Sequence, residues 1–252
     1  MEFDASKLEW LDYDLLKDYP ELIGKTYLRH GGVSKPPFDS LNISDSVGDH
    51  PDSVKVNRER IRTILKLPHL AFAKQMHGTN VAEITKENAA KPVEADVLFT
   101  KEKDVGLVVT HADCQAAIFY DPEHQVIAVV HAGWKGLVQD IYQKTVSHFV
   151  DRYKSKAQNL IVTLSPSLCP DHAEFKNYKK EIPEPLWKYQ TKPFHFDLWQ
   201  IALDQLKKSN VAEENIELSG ICTYCEKEDY YSHRREKKTG RHATLAALVS
   251  RK

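Results

Sequence analysis

Three residues of this chain combine metal-ligating or nucleophilic chemistry with positions that a rigid sheet can aim. His77 lies in the turn Gln75-Met76-His77-Gly78, and Cys114 follows an apolar run in Thr110-His111-Ala112-Asp113-Cys114-Gln115. His131 closes the run Val126-Ile127-Ala128-Val129-Val130, ahead of Ala132-Gly133-Trp134-Lys135-Gly136. They are far apart in sequence and form no local metal signature, so they act together only if the fold brings them to one point. Taken singly, each is more often a packed or surface residue than a ligand. A thiolate beside a histidine base is also a nucleophile, so Cys114 with His131 or His77 admits a metal-free hydrolase or deamidase. Asp113 adds to the signal, because burying a carboxylate is costly unless it is paired or near a metal.

Two glycine-bearing loops and one cysteine pair are weaker candidates. Gly133 and Gly136 flank Trp134-Lys135 between a strand and a helix, where backbone amides bind anions and Lys135 adds charge; an ordinary strand-to-helix turn explains them equally. Arg29-His30-Gly31-Gly32-Val33-Ser34 reads by itself as a polar turn. Cys222-Thr223-Tyr224-Cys225 invites a zinc-ribbon or redox reading. A structural zinc site needs a second ligand pair, and only Cys169 remains away from Cys114. A thioredoxin-like motif opens a helix after the first strand, not near the C-terminus. Both readings are disfavoured.

The elements that must position these residues are mixed. Residues 52–67 carry apolar positions at helical spacing and stop before Pro68. Residues 70–76 and 81–85 read as strands joined by the turn His77-Gly78-Thr79-Asn80. Short apolar runs follow at 95–100, 105–110, 116–120 and 125–131, with Asp121-Pro122-Glu123-His124 as a hairpin turn. A helix is expected over 137–150, a strand over 159–164, a helix after the N-cap Asp197, and an extended run over 216–221. Without strict strand–helix alternation, α+β with mixed sheets and flanking helices is preferred to a doubly wound sheet. Arg234-Arg235-Glu236-Lys237-Lys238 is the basic cluster, with a solvated loop as its plainest account.

Composition bounds the function classes. The 252 residues suit a single domain, with 41% hydrophobic and 28% charged residues, enough for a core and too apolar for a disordered chain. A net charge of −1 argues against nucleic-acid or membrane-surface binding. Met1-Glu2-Phe3-Asp4-Ala5-Ser6-Lys7 lacks the basic start and apolar core of a signal peptide. The most apolar stretch, 105–120, is interrupted by His111 and Asp113, so no bilayer span is expected. Four cysteines are too few for a disulfide framework, and a cytoplasmic location with reduced thiols is expected. There are 12 histidines and no His-x-His pair, which argues against a multi-copper cluster.

An ordered set of motifs then becomes recognisable: Arg29-His30-Gly31-Gly32-Val33-Ser34, Ser40-Leu41-Asn42, Gly48-Asp49, Asn57-Arg58, Gln75-Met76-His77-Gly78, Ala95-Asp96, Thr110-His111-Ala112-Asp113-Cys114, His131-Ala132-Gly133-Trp134-Lys135-Gly136, Ser232-His233-Arg234-Arg235 and Thr239-Gly240-Arg241. The chain resembles the laccase-domain family, also called the multicopper polyphenol oxidase or purine nucleoside phosphorylase family. The resemblance runs from about residue 24 onward, leaving 1–23 as a lead-in and 24–252 as the domain. It implies a single α+β domain and a zinc site at His77, Cys114 and His131. It also implies phosphorolysis of adenosine, inosine, guanosine and methylthioadenosine, and deamination of adenosine. The expected partners are thus purine nucleosides and phosphate.

In that picture the His₂Cys set leaves a fourth position open on zinc, and copper is taken when supplied. Asp113 orients a ligand imidazole. Arg58, Arg234 and Arg241, with Lys135, are candidates for holding phosphate. Arg29, Asn42, Gln75 and His111 are further candidates for the substrate pocket. The sequence departs from the family pattern at Gln115-Ala116 and at Leu164-Ser165-Pro166-Ser167-Leu168-Cys169, which leaves nucleoside preference open. A copper oxidase and a non-catalytic purine- or metal-binding protein are the remaining alternatives, and oligomeric state is not legible.

Overall fold

The computed structural model describes residues 7–250. The expectation placed on residues 1–6, that they open no signal peptide, lies outside the described residues. In chain order the strands are β1 (Trp10–Asp12), β2 (Leu22–Tyr27), β3 (His69–Lys74), β4 (Val81–Glu83), β5 (Val93–Glu94), β6 (Val97–Thr100) and β7 (Val105–His111). There follow β8 (Gln115–Asp121), β9 (Val126–Ala132), β10 (Ile161–Leu164), β11 (Gln190–Lys192), β12 (His195–Phe196), β13 (Ile216–Leu218) and β14 (His242–Leu248). The helices are α1 (Pro51–Ile64), α2 (Trp134–Leu137), α3 (Ile141–Tyr153), α4 (Tyr178–Glu181), α5 (Leu198–Lys208) and α6 (His233–Glu236). One sheet runs β1-β2-β14-β7-β3-β5 and the other β13-β10-β8-β9-β6-β4, with β11-β12 as a separate pair. Both large sheets mix parallel and antiparallel neighbours: β14 is antiparallel to β2 and β7, whereas β3 is parallel to β7. The fold is α+β, as expected.

The period of two along each strand explains the layering. Ile127 and Val129 of β9 pack with Leu107 and Val109 of β7 and Ala246 of β14, between the two sheets. Val126, Ala128 and Val130 face the other way, onto Ile141, Val146 and Phe149 of α3 and Ile201 and Leu206 of α5. The outer face of the first sheet, Val108, Leu245 and Ala247, is covered by Ile61 of α1 with Leu41 and Ile43. Four layers result, with helices outside and two sheets inside. Every residue of β8 and β9 is buried, which is why these strands read as continuous apolar runs. The same period places His131 on the face of Ile127 and Val129, and His111 on the face of Leu107 and Val109, so polar groups finish one end of the inter-sheet layer.

The structure revises several expected elements. Residues 10–12 and 22–23 of the expected lead-in belong to β1 and β2 of the first sheet. His77–Asn80 does not close a hairpin; β3 and β4 lie in different sheets, and this turn carries the chain between them. The helix expected over 137–150 is two helices, because Asp140 adopts a left-handed conformation (φ 58°) between α2 and α3. Asp197 caps α5 as expected, accepting from the Gln200 amide at 2.9 Å. The basic run at 234–238 is not a solvated loop. Ser232 caps α6, and the half-buried Arg235 guanidinium donates to the carbonyls of Thr223, Tyr224 and Tyr230 at 2.7 Å each. None of the described helices is long and apolar enough to cross a membrane.

The inter-sheet layer also holds a buried polar chain. Tyr13 Oη meets Thr26 Oγ1 at 2.7 Å, Thr26 meets Thr244 Oγ1 at 2.8 Å, and Thr244 meets His111 Nε2 at 2.8 Å. His242, opposite His111 in the β14–β7 register, accepts the Tyr231 amide on Nε2 at 2.7 Å. Burial holds both imidazoles neutral: His111 is pushed well below its ordinary value, and His242 to about 3. The unfolded chain binds more protons than the folded one below the ordinary 6.5, so this contribution is complete above 6.5 and is lost as pH falls toward 3. Each such imidazole costs about 1.4 kcal/mol of stability per pH unit in that window. Denaturant unfolding between pH 7 and 4 is expected to show this slope, and His242→Gln, which keeps an acceptor for the Tyr231 amide, should reduce it. An unchanged slope in the variant would assign the acid sensitivity elsewhere.

Candidate metal centre and pocket

Asp96, fully buried just ahead of β6, organises the centre. Its carboxylate accepts the amides of Met76, His77 and Gly78 at 3.3, 3.0 and 2.7 Å, which fixes the turn in which His77 takes a left-handed φ of 56°. The same carboxylate meets His131 Nδ1 at 2.9 Å, and the His131 amide donates to the Asp96 carbonyl at 2.8 Å. With Nδ1 engaged, Nε2 is the ring nitrogen left to ligate or to accept a proton. Cys114 arrives from the turn between β7 and β8. The donor atoms of His77, Cys114 and His131 all lie within 4.8 Å of one another, and the two imidazoles meet edge-on with centroids 4.8 Å apart. Gly133 passes close behind them. A Cβ there would lie 3.0 Å from His77 Cδ2 and 3.4 Å from Cys114 Sγ, so the absent side chain makes the approach possible.

The electrostatics suit this donor set to a cation. Burial pushes the Cys114 thiol up, but hydrogen bonds from His131 and His77 outweigh it and hold the group at about 6. Burial pushes His131 down, whereas its bonds to Asp96 and Cys114 raise it to about 9. Asp96 is driven up by burial and down by the His131 bond and the turn amides, and ends below its ordinary value. Two imidazoles and a readily ionised thiol, one imidazole backed by a carboxylate, form a donor set that fits zinc and leaves a fourth position for another ligand.

The centre opens into a cavity of about 740 Å³, also lined by Arg58, Phe72, Gln75, His111, His233 and Arg241 and by the 89–92 turn. That size suits a small organic ligand. Arg58 donates Nε to the Ile43 carbonyl at 2.8 Å, pairs with Asp45 at 3.2 Å and lies 4.1 Å from the Phe72 ring centroid. Arg241 gives Nη1 to the carbonyls of Thr239 and Gly240; its Nε and Nη2 find no protein partner among the described residues. The Gln75 amide is occupied by the Thr110 backbone, receiving its amide at 2.8 Å and donating to its carbonyl at 2.6 Å.

The remaining expected site residues lie outside the cavity lining. Asp113 does not orient an imidazole: its carboxylate accepts Thr223 Oγ1 at 2.8 Å and the Arg234 amide at 2.5 Å, and the carboxylate on His131 belongs to Asp96. Arg234 donates to the Glu174 carbonyl at 2.9 Å. Arg29 is engaged by the Asp39 carbonyl, the Lys227 carbonyl and Glu236. Lys135 is exposed beside the Trp134 ring. Asn42 is fully buried and holds the Arg241 backbone, whose amide it accepts at 3.0 Å. Asp96 carried a sequence signal only as part of a motif, and its role emerges from contacts distant in sequence. One exclusion is also overturned: Cys222 and Cys225 do have a second ligand pair, because His172 joins Cys169 beside them. Counting cysteines alone concealed it.

These features define a two-sheet α+β domain whose inter-sheet layer ends in a His₂Cys donor set at an open pocket. The chain belongs to the family described as multi-copper polyphenol oxidoreductase laccase, which it matches over residues 25–249. A Shigella flexneri protein named purine nucleoside phosphorylase YfiH is 34% identical over 232 residues, 88% of this chain and 91% of that protein. The Bacillus subtilis (strain 168) purine nucleoside phosphorylase YlmD is 32% identical, covering 88% of this chain and 86% of its own length. Among solved structures, YlmD from Geobacillus stearothermophilus superposes with a TM-score of 0.87 at 27% identity over 96% of each chain.

Because Asp96 serves two of the three donors, Asp96→Asn is expected to weaken the binding of added zinc at this centre by about 10–100-fold. Competition with a chelator measures this. Retention equal to that of the unchanged chain would mean that the turn and His131 hold their places without the carboxylate.

Proposed function

We propose that this chain is a zinc-dependent purine nucleoside phosphorylase, acting on adenosine, inosine, guanosine and methylthioadenosine and also deaminating adenosine. The observation that carries the reading is that the His₂Cys donor set and the open edge of the Arg241 guanidinium face one cavity of nucleoside size. The names of the relatives supply the substrate class. His77, Cys114 and His131 would hold zinc, which supplies a Lewis acid and an acidified water when bound. In phosphorolysis a phosphate oxygen bonds to C1′ as the C1′–N9 bond breaks, and the purine leaves with that electron pair and a proton. Arg241, with Arg58 in the same cavity lining, would hold the phosphate and offset the charge it brings. In deamination, water adds at C6 of adenosine and ammonia leaves.

One feature favours a second reading. Cys114, His131 and Asp96 also form a thiol–imidazole–carboxylate series, the arrangement of a nucleophilic cysteine with an oriented base. Phosphate and metal dependence separate the two. Under the phosphorylase reading, inosine turnover requires phosphate, releases hypoxanthine with ribose 1-phosphate, and is abolished by a chelator and by Cys114→Ser together with the zinc at this centre. Hypoxanthine formed equally fast without phosphate, in metal-free protein, would overturn it in favour of the nucleophile. Arg241→Ala is expected to raise the phosphate KM by about 10–100-fold, the loss of charge-assisted contacts of about 1.5–3 kcal/mol. An unchanged phosphate KM would remove Arg241 from that role.

A further inference from the structure

Away from the pocket, Cys169, His172, Cys222 and Cys225 place four ligand atoms within 4.8 Å of one another. As a set, their distances are not accounted for by hydrogen bonding alone. His172 Nδ1 lies 3.2, 3.7 and 3.6 Å from the sulfurs of Cys169, Cys222 and Cys225. A ring nitrogen carries one proton or one lone pair and can serve one sulfur, not three. Three sulfurs and a nitrogen around a tetrahedral zinc, at about 2.3 and 2.0–2.1 Å from the ion, would stand about 3.5 Å apart from nitrogen to sulfur. The observed separations bracket that value.

The local folding explains why the four converge. Each pair is separated by two residues and spans one turn: the His172 and Ala173 amides donate to the Cys169 carbonyl, and the Glu226 amide donates to the Cys222 carbonyl. The two turns are joined backbone to backbone where Ser167 bridges Cys222. The Cys169 amide points at Cys222 Sγ at 3.4 Å, a donor that stabilises a thiolate. The Tyr224 ring stacks on His172 at 4.0 Å, setting the plane of the imidazole.

We propose that Cys169, His172, Cys222 and Cys225 form a second, structural zinc site, distinct from the His77–Cys114–His131 centre. Four protein ligands close the tetrahedron, so no position is open to substrate and the ion acts as a staple. It joins the segment after β10 to the segment before α6. Both segments hold Asp113: the Leu168 amide donates to its carbonyl, and Thr223 donates to its carboxylate. Asp113 precedes Cys114, so the staple braces the turn that presents the thiol to the pocket.

Metal analysis of the full chain is expected to find two zinc ions per molecule. Cys222→Ser/Cys225→Ser and His77→Ala/Cys114→Ser should each retain one. In the second variant, cobalt in place of zinc should show tetrahedral thiolate-to-metal absorption of three-sulfur intensity, a readout independent of catalysis. That spectrum decides the matter even if Cys222→Ser/Cys225→Ser does not fold. The proposal is overturned if the His77→Ala/Cys114→Ser variant binds no cobalt with thiolate absorption. It is overturned equally if peptide mapping of freshly purified, unreduced protein finds Cys169 and Cys222 joined in a disulfide. Failure of the phosphorylase reading would leave the variant's spectrum unchanged, so the two are separable.

Discussion

The carboxylate of Asp96 is the interaction on which the rest of the site depends. A buried carboxylate is costly unless its oxygens are filled, and here three turn amides and one imidazole fill them. The arrangement does two things at once. It fixes the turn through which the chain leaves the first sheet for the second, and it sets the ring of His131 at the end of β9. The crossing between sheets and the spacing of the candidate metal donors are therefore held by the same few atoms.

The layered core gives that interaction its setting. The inter-sheet layer is apolar along its length and polar at one end, where His111, His131 and Asp96 are buried. Hydrogen bonds reach each of them: His111 Nε2 through the Thr244–Thr26–Tyr13 chain, and His131 Nδ1 through Asp96. Cys114 and His77 enter from turns rather than strands, and they meet the nearly covered His131 at the pocket lining. The close passage of Gly133 completes the enclosure, since a side chain there would press on two of the donors.

Charged motif residues divide between the pocket and its supports. Arg58 and Arg241 line the cavity, whereas Arg29, Arg234 and Arg235 are engaged by carbonyls and carboxylates that hold the loops in place. Arginine suits both tasks, because its planar fork satisfies several carbonyls as readily as an anion. Residue type alone therefore does not separate a substrate ligand from a loop anchor, and Asp113 is the same case among the acids.

Local sequence determined the long periodic elements: α1, the β8–β9 hairpin with its Asp121–His124 turn, and α5 with its Asp197 cap. It also determined which residue types were available for ligation, with His77, Cys114 and His131 placed at turns and strand ends. These were legible because period, caps and turn chemistry act over a few residues. Tertiary structure alone decided the rest. His242-Ala-Thr-Leu-Ala-Ala-Leu248 has a composition that suits a helix, yet it is a central strand, because pairing with β2 and β7 on both sides outweighs intrinsic propensity. The break at Asp140, the partner of His131, and the meeting of Cys169 and His172 with Cys222 and Cys225 all depend on contacts between distant segments. A single chain read in order carries no record of which of its distant polar groups will be brought within a few ångströms.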